Sequence, residues 1–137
     1  MLLTRASEYA LLALIVLAQA KEPMGADRIA LQLGISKSFL AKVLQSLAKE
    51  QLLLSYKGVR GGFALARSEH QITLLDIMQA AEGKSPAVFD CSPSHADCPS
   101  QIASACAIWP VLNNLQNKID NFLVTLTLAD IMRGHIG

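Results

Sequence analysis

Between Ser36 and Gly62 the apolar period of the sequence changes from helical to alternating, and this constrains the fold more than any other feature. From Ser36 to about Glu50, the residues Phe39, Leu40, Val43, Leu44 and Leu47 recur at three and four, the spacing of one helix face. Lys37, Ser38, Ala41, Lys42, Gln45 and Lys49 fall on the other side, and Ser36 supplies the hydroxyl that a helix start favours. Leu52–Tyr56 then reads as a strand, Lys57–Gly62 as a turn, and Phe63–Ala66 as a returning strand. The turn carries three glycines and two cations, so its tip is expected to be flexible and positive.

The flanking segments extend this pattern. A first helix is expected from about Arg5 to Ala20, with Thr4 as its cap and Pro23 and Gly25 breaking the chain after it. A short second helix, Ala26–Leu33, ends at Gly34, which can take the left-handed conformation of a C-cap. Thr73 caps a further helix, Leu74–Glu82, closed by Gly83. Ile108 to about Leu126 returns to helical spacing, with Pro110 tolerated in its first turn, and Thr127–Ile131 starts a short last helix. The predicted class is mainly α: a winged helix-turn-helix with a two-stranded β wing and a long C-terminal helix. The long helix, Ile108 to about Leu126, carries more apolar surface than a small monomer covers easily, which points to a homodimer.

Three segments follow from this pass. Residues 1–83 form a winged helix-turn-helix, 84–106 a cysteine-rich irregular loop, and 107–137 the dimerisation helix and terminal helix. Composition agrees with a helical domain, being 52% hydrophobic, 5% aromatic and 17% charged. The net charge is only +1, but residues 1–70 hold nine Lys and Arg against five Asp and Glu, whereas residues 71–137 hold three against six. A basic first half joined to an acidic second half suits a phosphate-facing module attached to something else. The apolar run Ala10–Ala18 followed by Ala18-Gln19-Ala20 has the outline of a secretory leader. Glu8 sits where such a leader is purely cationic, and the run is too short to span a bilayer, so a buried helix in a cytoplasmic protein, with no membrane association, is expected.

A DNA-reading helix must expose one face to the major groove while the other is anchored, and the third helix meets that requirement. Ser36, Lys37, Ser38 and Lys42 near its start, with Lys57 and Arg60 on the wing, are the candidate DNA contacts. Taken singly, lysines on a helix face are usually just solvated. It is their order within one helix-turn-helix and hairpin that points to double-stranded DNA.

Cys91, Cys98 and Cys106 are separated by six and seven residues within one loop. An odd number of clustered thiols suits a metal or redox site better than a secreted disulfide framework. Thiolates select iron–sulfur clusters, zinc or copper(I), and the spacing alone does not choose among them. His95 would complete a Cys3His zinc site, although an exposed loop histidine is the plainer account of it. No paired carboxylates, nucleophile–base motif or phosphate-binding loop is present, so an enzyme is not expected.

The chain resembles the IscR/NsrR-type winged-helix iron–sulfur regulators over nearly its whole length. The resemblance rests on Leu3–Ala10, on Gly34–Leu40, on Lys57–Phe63, on the three loop cysteines and on Thr127–Asp130. It implies a dimer on a palindromic operator and a cluster that senses redox state, iron or nitric oxide. It further implies cluster ligation by Cys91, Cys98 and Cys106, with Glu8 as an acidic fourth ligand reaching from the partner subunit. The IscR-type members place a histidine three residues after the last cysteine, where this chain has Trp109. The cysteine spacings are also longer than in that subgroup. Both departures favour a 4Fe–4S cluster slightly over 2Fe–2S. The alternatives are a metal-free thiol-redox regulator and a zinc-stabilised protein-interaction adaptor.

Overall fold

The computed structural model describes residues 4–87 and 108–134. Helix α1 (Arg5–Gln19) begins where Thr4 accepts a hydrogen bond from the Ser7 backbone N–H at 3.2 Å. Ala10, Ala13, Leu14, Val16 and Leu17 are buried, so the apolar run is a core helix. Helix α2 (Ala26–Leu33) ends at Gly34 in the left-handed conformation, φ 69°, which turns the chain sharply into helix α3 (Lys37–Lys49). Ser36 caps α3, its hydroxyl accepting from the Phe39 N–H.

Leu40, Val43, Leu44 and Leu47 place the dry face of α3 in the core against α1 and helix α4 (Leu74–Glu82). Strands β1 (Leu53–Tyr56) and β2 (Gly62–Leu65) pair antiparallel, with Leu53 opposite Leu65 and Tyr56 opposite Gly62. The architecture is a winged helix-turn-helix. Phe39 departs from its expected place on the dry face: it lies at the edge of that face, partly exposed. It sits one residue, about 100° around the helix axis, from Leu40, and its ring meets Tyr9 of α1 edge-on at 5.3 Å. A 3-10 turn at Glu69–Gln71, capped by Ser68, was not legible as an element.

Helix α5 (Trp109–Thr125) has Pro110 in its first turn, and helix α6 (Leu128–Met132) follows after a single bridge to the body. Thr73 and Thr127 form that bridge, with Leu74 N–H to Leu126 O at 2.8 Å and Leu128 N–H to Ile72 O at 2.7 Å. Each threonine also heads a capping box, with Asp76 for α4 and Asp130 for α6, so the two helices start from one stitched point. Along α5, Leu123 is buried, while Val111, Leu115, Phe122 and Val124 are exposed. Among the described residues no helix is long and apolar enough to cross a membrane.

The capping box of α6 carries a pH dependence. Hydrogen bonds to Thr127, backbone first and then hydroxyl, followed by Arg133 at 2.8 Å, hold the Asp130 carboxyl below its ordinary value. A group whose folded-state pKa is lowered stabilises the fold above its unfolded pKa and loses that contribution as pH falls through the folded value. Wild type is therefore expected to unfold at higher denaturant concentration than Asp130→Asn near neutrality. The two midpoints should converge in acid below the ordinary aspartate range. Equal midpoints at all pH values would remove Asp130 from the stabilising contacts.

Candidate nucleic-acid interface

The six residues expected to touch DNA are all exposed. Ser36, Lys37, Ser38 and Lys42 lie at or near the start of α3, with Ser38 and Lys42 on the side opposite Leu40 and Leu44 and with Ser36 and Lys37 exposed at the open end of the helix. Capping explains why the serines stand there: Ser36 caps the helix and its hydroxyl lies 3.1 Å from that of Ser38. Lys37 is tied back to α2 through an ion pair with Asp27, Nζ to Oδ1 2.5 Å, with both side chains well exposed. An exposed pair of this kind adds little stability, so Lys37 is free to exchange its partner for a phosphate.

Lys57 and Arg60 stand in the turn between β1 and β2, on either side of Gly58 and the fully exposed Val59. The turn closes through Gly61 N–H to Gly58 O at 2.9 Å. Arg60, Val59 and Gly61 share a shallow groove of about 300 Å³ with Asp27 and Arg28 of α2. Asp27 thus borders both sets of cations, one on α3 and one on the wing. Arg28 was missed from sequence, because a single arginine in a short helix shows no pattern until the wing is folded beside it.

Glu8 is exposed in the first turn of α1, where a carboxylate complements the helix dipole. It lines a cleft of about 470 Å³ with Thr4, Arg5, Ser7, Leu11, Leu74 and Met78. The Glu8 carboxylate makes no ion pair or side-chain hydrogen bond with another described residue. The same end of α1 is bonded to the end of α4, where the Thr4 hydroxyl donates to the Glu82 carboxylate. Gln116 of α5 is buried and donates to Pro86 O at 2.9 Å. Cys91, Cys98, Cys106 and His95 lie outside the described residues. Among the described ones no three metal-ligating side chains come together.

A family model described as "Rrf2: Iron-dependent Transcriptional regulator" matches residues 3–134. YffB of Lactococcus lactis, which carries the name of an HTH-type transcriptional regulator, is 32% identical over 129 residues, 90% of this chain and 82% of its own length. The solved structure of T. potens IscR is similar with a TM-score of 0.74 and 25% identity, covering 98% of this chain and 88% of that one. CymR of B. subtilis, described as the global cysteine regulator of that organism, shares the fold at a TM-score of 0.71 and 23% identity over 97% of both chains. These likenesses are to regulators and not to enzymes, as expected from the sequence. With an exposed cationic helix face, a cationic wing and a family match from residue 3 to residue 134, the chain belongs to the Rrf2 family of transcriptional regulators.

Proposed function

We propose that the protein is a homodimeric regulator whose affinity for a palindromic operator depends on an iron–sulfur cluster. The observation that carries the DNA half is the division of α3 into a buried aliphatic face and an exposed face bearing Ser38 and Lys42, with Lys37 exposed at the helix start. Such a helix enters the major groove by its exposed side, while Lys42, Lys57, Arg60 and the helix-start serines grip phosphates. The open apolar face of α5 supports pairing of two copies. Two α3 helices would then meet half-sites about 34 Å apart, one turn of duplex.

Cys91, Cys98 and Cys106 are the cluster ligands in this reading, with Glu8 of the partner subunit as the fourth, and 4Fe–4S is favoured over 2Fe–2S. The donor set fits: three soft thiolates in one segment, and a carboxylate on a cleft with no side-chain partner among the described residues. The family description as iron-dependent and the likeness to IscR point the same way. A bound cluster supplies a redox-sensitive tie between the cysteine segment and α1. The residues of this chain then translate that tie, since α1 touches α4 through Thr4 and α3 through Tyr9.

The DNA half is tested by titrating a labelled duplex across a salt series. Binding is expected to weaken steeply with salt, and Lys42→Ala should lower the slope of log affinity against log salt by about one per protomer. Salt-independent binding would contradict DNA contact and favour the protein-binding adaptor. An unchanged slope in the variant would remove Lys42 from the interface.

The cluster half is tested by visible absorption with iron and sulfide analysis on protein purified without oxygen. Colour with iron and sulfide is expected in wild type, lost on replacing any one of the three cysteines by serine and weakened in Glu8→Ala. Colourless protein in which only two of the three cysteines matter for DNA binding would establish a thiol switch instead. Colourless protein containing zinc would establish the structural-metal alternative.

A further inference from the structure

Gly61 and Gly62 stand side by side at the root of the hairpin, and their surroundings demand glycine for different reasons. A Cβ on Gly61 would lie 2.8 Å from the Lys57 carbonyl carbon and 2.9 Å from the Gly58 oxygen, so this position closes the turn on itself. A Cβ on Gly62 would meet another part of the chain, 2.6 Å from both the Gly25 nitrogen and the Met24 oxygen. Those are backbone atoms, which cannot swing aside as the end of a side chain does. Gly62 also holds φ 139°, a conformation that side-chain-bearing residues rarely adopt.

The next residue completes the joint. Met24 and Phe63 exchange both backbone hydrogen bonds, Met24 N–H to Phe63 O at 3.0 Å and Phe63 N–H to Met24 O at 2.8 Å. Met24 is buried and acts as a one-residue third strand against β2. Gly25, the other half of the seat, is the N-cap of α2, and α2 is paired to the start of α3 through Asp27 and Lys37. The direction of the wing is thereby referred to the helix-turn-helix across a bare backbone-to-backbone contact.

We propose that Gly62, seated on the Met24–Gly25 peptide, is a positioning residue that sets the angle of the wing, so that its Lys57–Arg60 tip and the start of α3 engage one stretch of duplex. This rests on the reading that Lys57 and Arg60 touch DNA. A methyl group at residue 62 would separate β2 from the peptide. The hairpin tip, rather than the core-bound α2, would take up the displacement.

The test compares salt slopes for binding of a fluorescent mixed-sequence duplex by the full chain. Four proteins are needed: wild type, Lys57→Ala/Arg60→Ala, Gly62→Ala, and all three substitutions together. Removing the two cations should lower the slope by about two per protomer, one for each phosphate contact. Gly62→Ala should lower it by the same amount with both cations still present, and the triple variant should fall no further. A wild-type slope in Gly62→Ala, or a full further drop when the cations are removed from it, overturns the proposal. If the cation variant itself keeps the wild-type slope, the DNA reading of the tip fails, and the proposal falls with it. A residue important only for stability would shift the unfolding midpoint and leave the contribution of the cations intact. Should Gly62→Ala fail to fold, Met24→Pro removes one hydrogen bond of the same joint together with the buried Met24 side chain, and it should show the same loss of slope while Met24→Ala, which keeps the bond, retains the wild-type slope.

Discussion

Burial of Leu40, Val43, Leu44 and Leu47 against α1 and α4 is the interaction on which the rest of the molecule depends. It fixes α3 in rotation about its own axis, and that rotation alone decides which side chains face outward. Because the helical period is close to three and a half residues, four apolar positions on one side leave Ser38 and Lys42 on the other, while Lys37 is exposed because it is the first residue of the helix. Deleting a single buried leucine of this set costs on the order of 2–5 kcal/mol, a large part of the stability of a small domain. The exposed face is therefore held by the core, and the polar groups on it are not needed for packing.

The same core is tied to the described residues that border the cysteine segment in sequence. Helix α4 ends at Glu82, which accepts a hydrogen bond from Thr4 at the head of α1. One turn along α1, Tyr9 meets Phe39 in the first turn of α3, whose backbone N–H is the donor to the Ser36 cap. On the far side of the segment, Gln116 of α5 is bonded to Pro86. Residues 88–107 are thus flanked on both sides by polar contacts to buried or half-buried groups. A chain of contacts is not itself coupling, which is a difference in DNA affinity between two states of the molecule. The contacts link the end of α4, through the head of α1, to the start of α3.

Much of this was legible in the sequence because the elements announce their own ends. Thr4, Ser36, Thr73 and Thr127 each place a hydroxyl at a helix start, and Gly34 and Gly83 each take the left-handed conformation at a helix end. Local chemistry of this kind is readable because both partners lie within a few residues. What escaped is non-local. Nothing near Phe39 says that Tyr9 will reach it, and nothing near Arg28 says that the wing will lie beside it. Gly62 is the clearest instance: three glycines in a turn read as flexibility, yet one is required by the Met24–Gly25 peptide, some forty residues earlier in the chain. For the candidate site, the six residues proposed to touch DNA are all exposed, as their pattern in the sequence suggests, while the cysteine segment falls outside the described residues.

The claim that joins the two halves is that one protein has two affinities for DNA, set by its cluster. Its most direct test measures, at a single salt concentration and without oxygen, the affinity of the same preparation for a selected duplex before and after the cluster is removed by chelation. A cluster-coupled regulator predicts a difference of about 5- to 150-fold, the range of ordinary allosteric links. Equal affinities in the two states would contradict the coupling, whatever the colour of the protein.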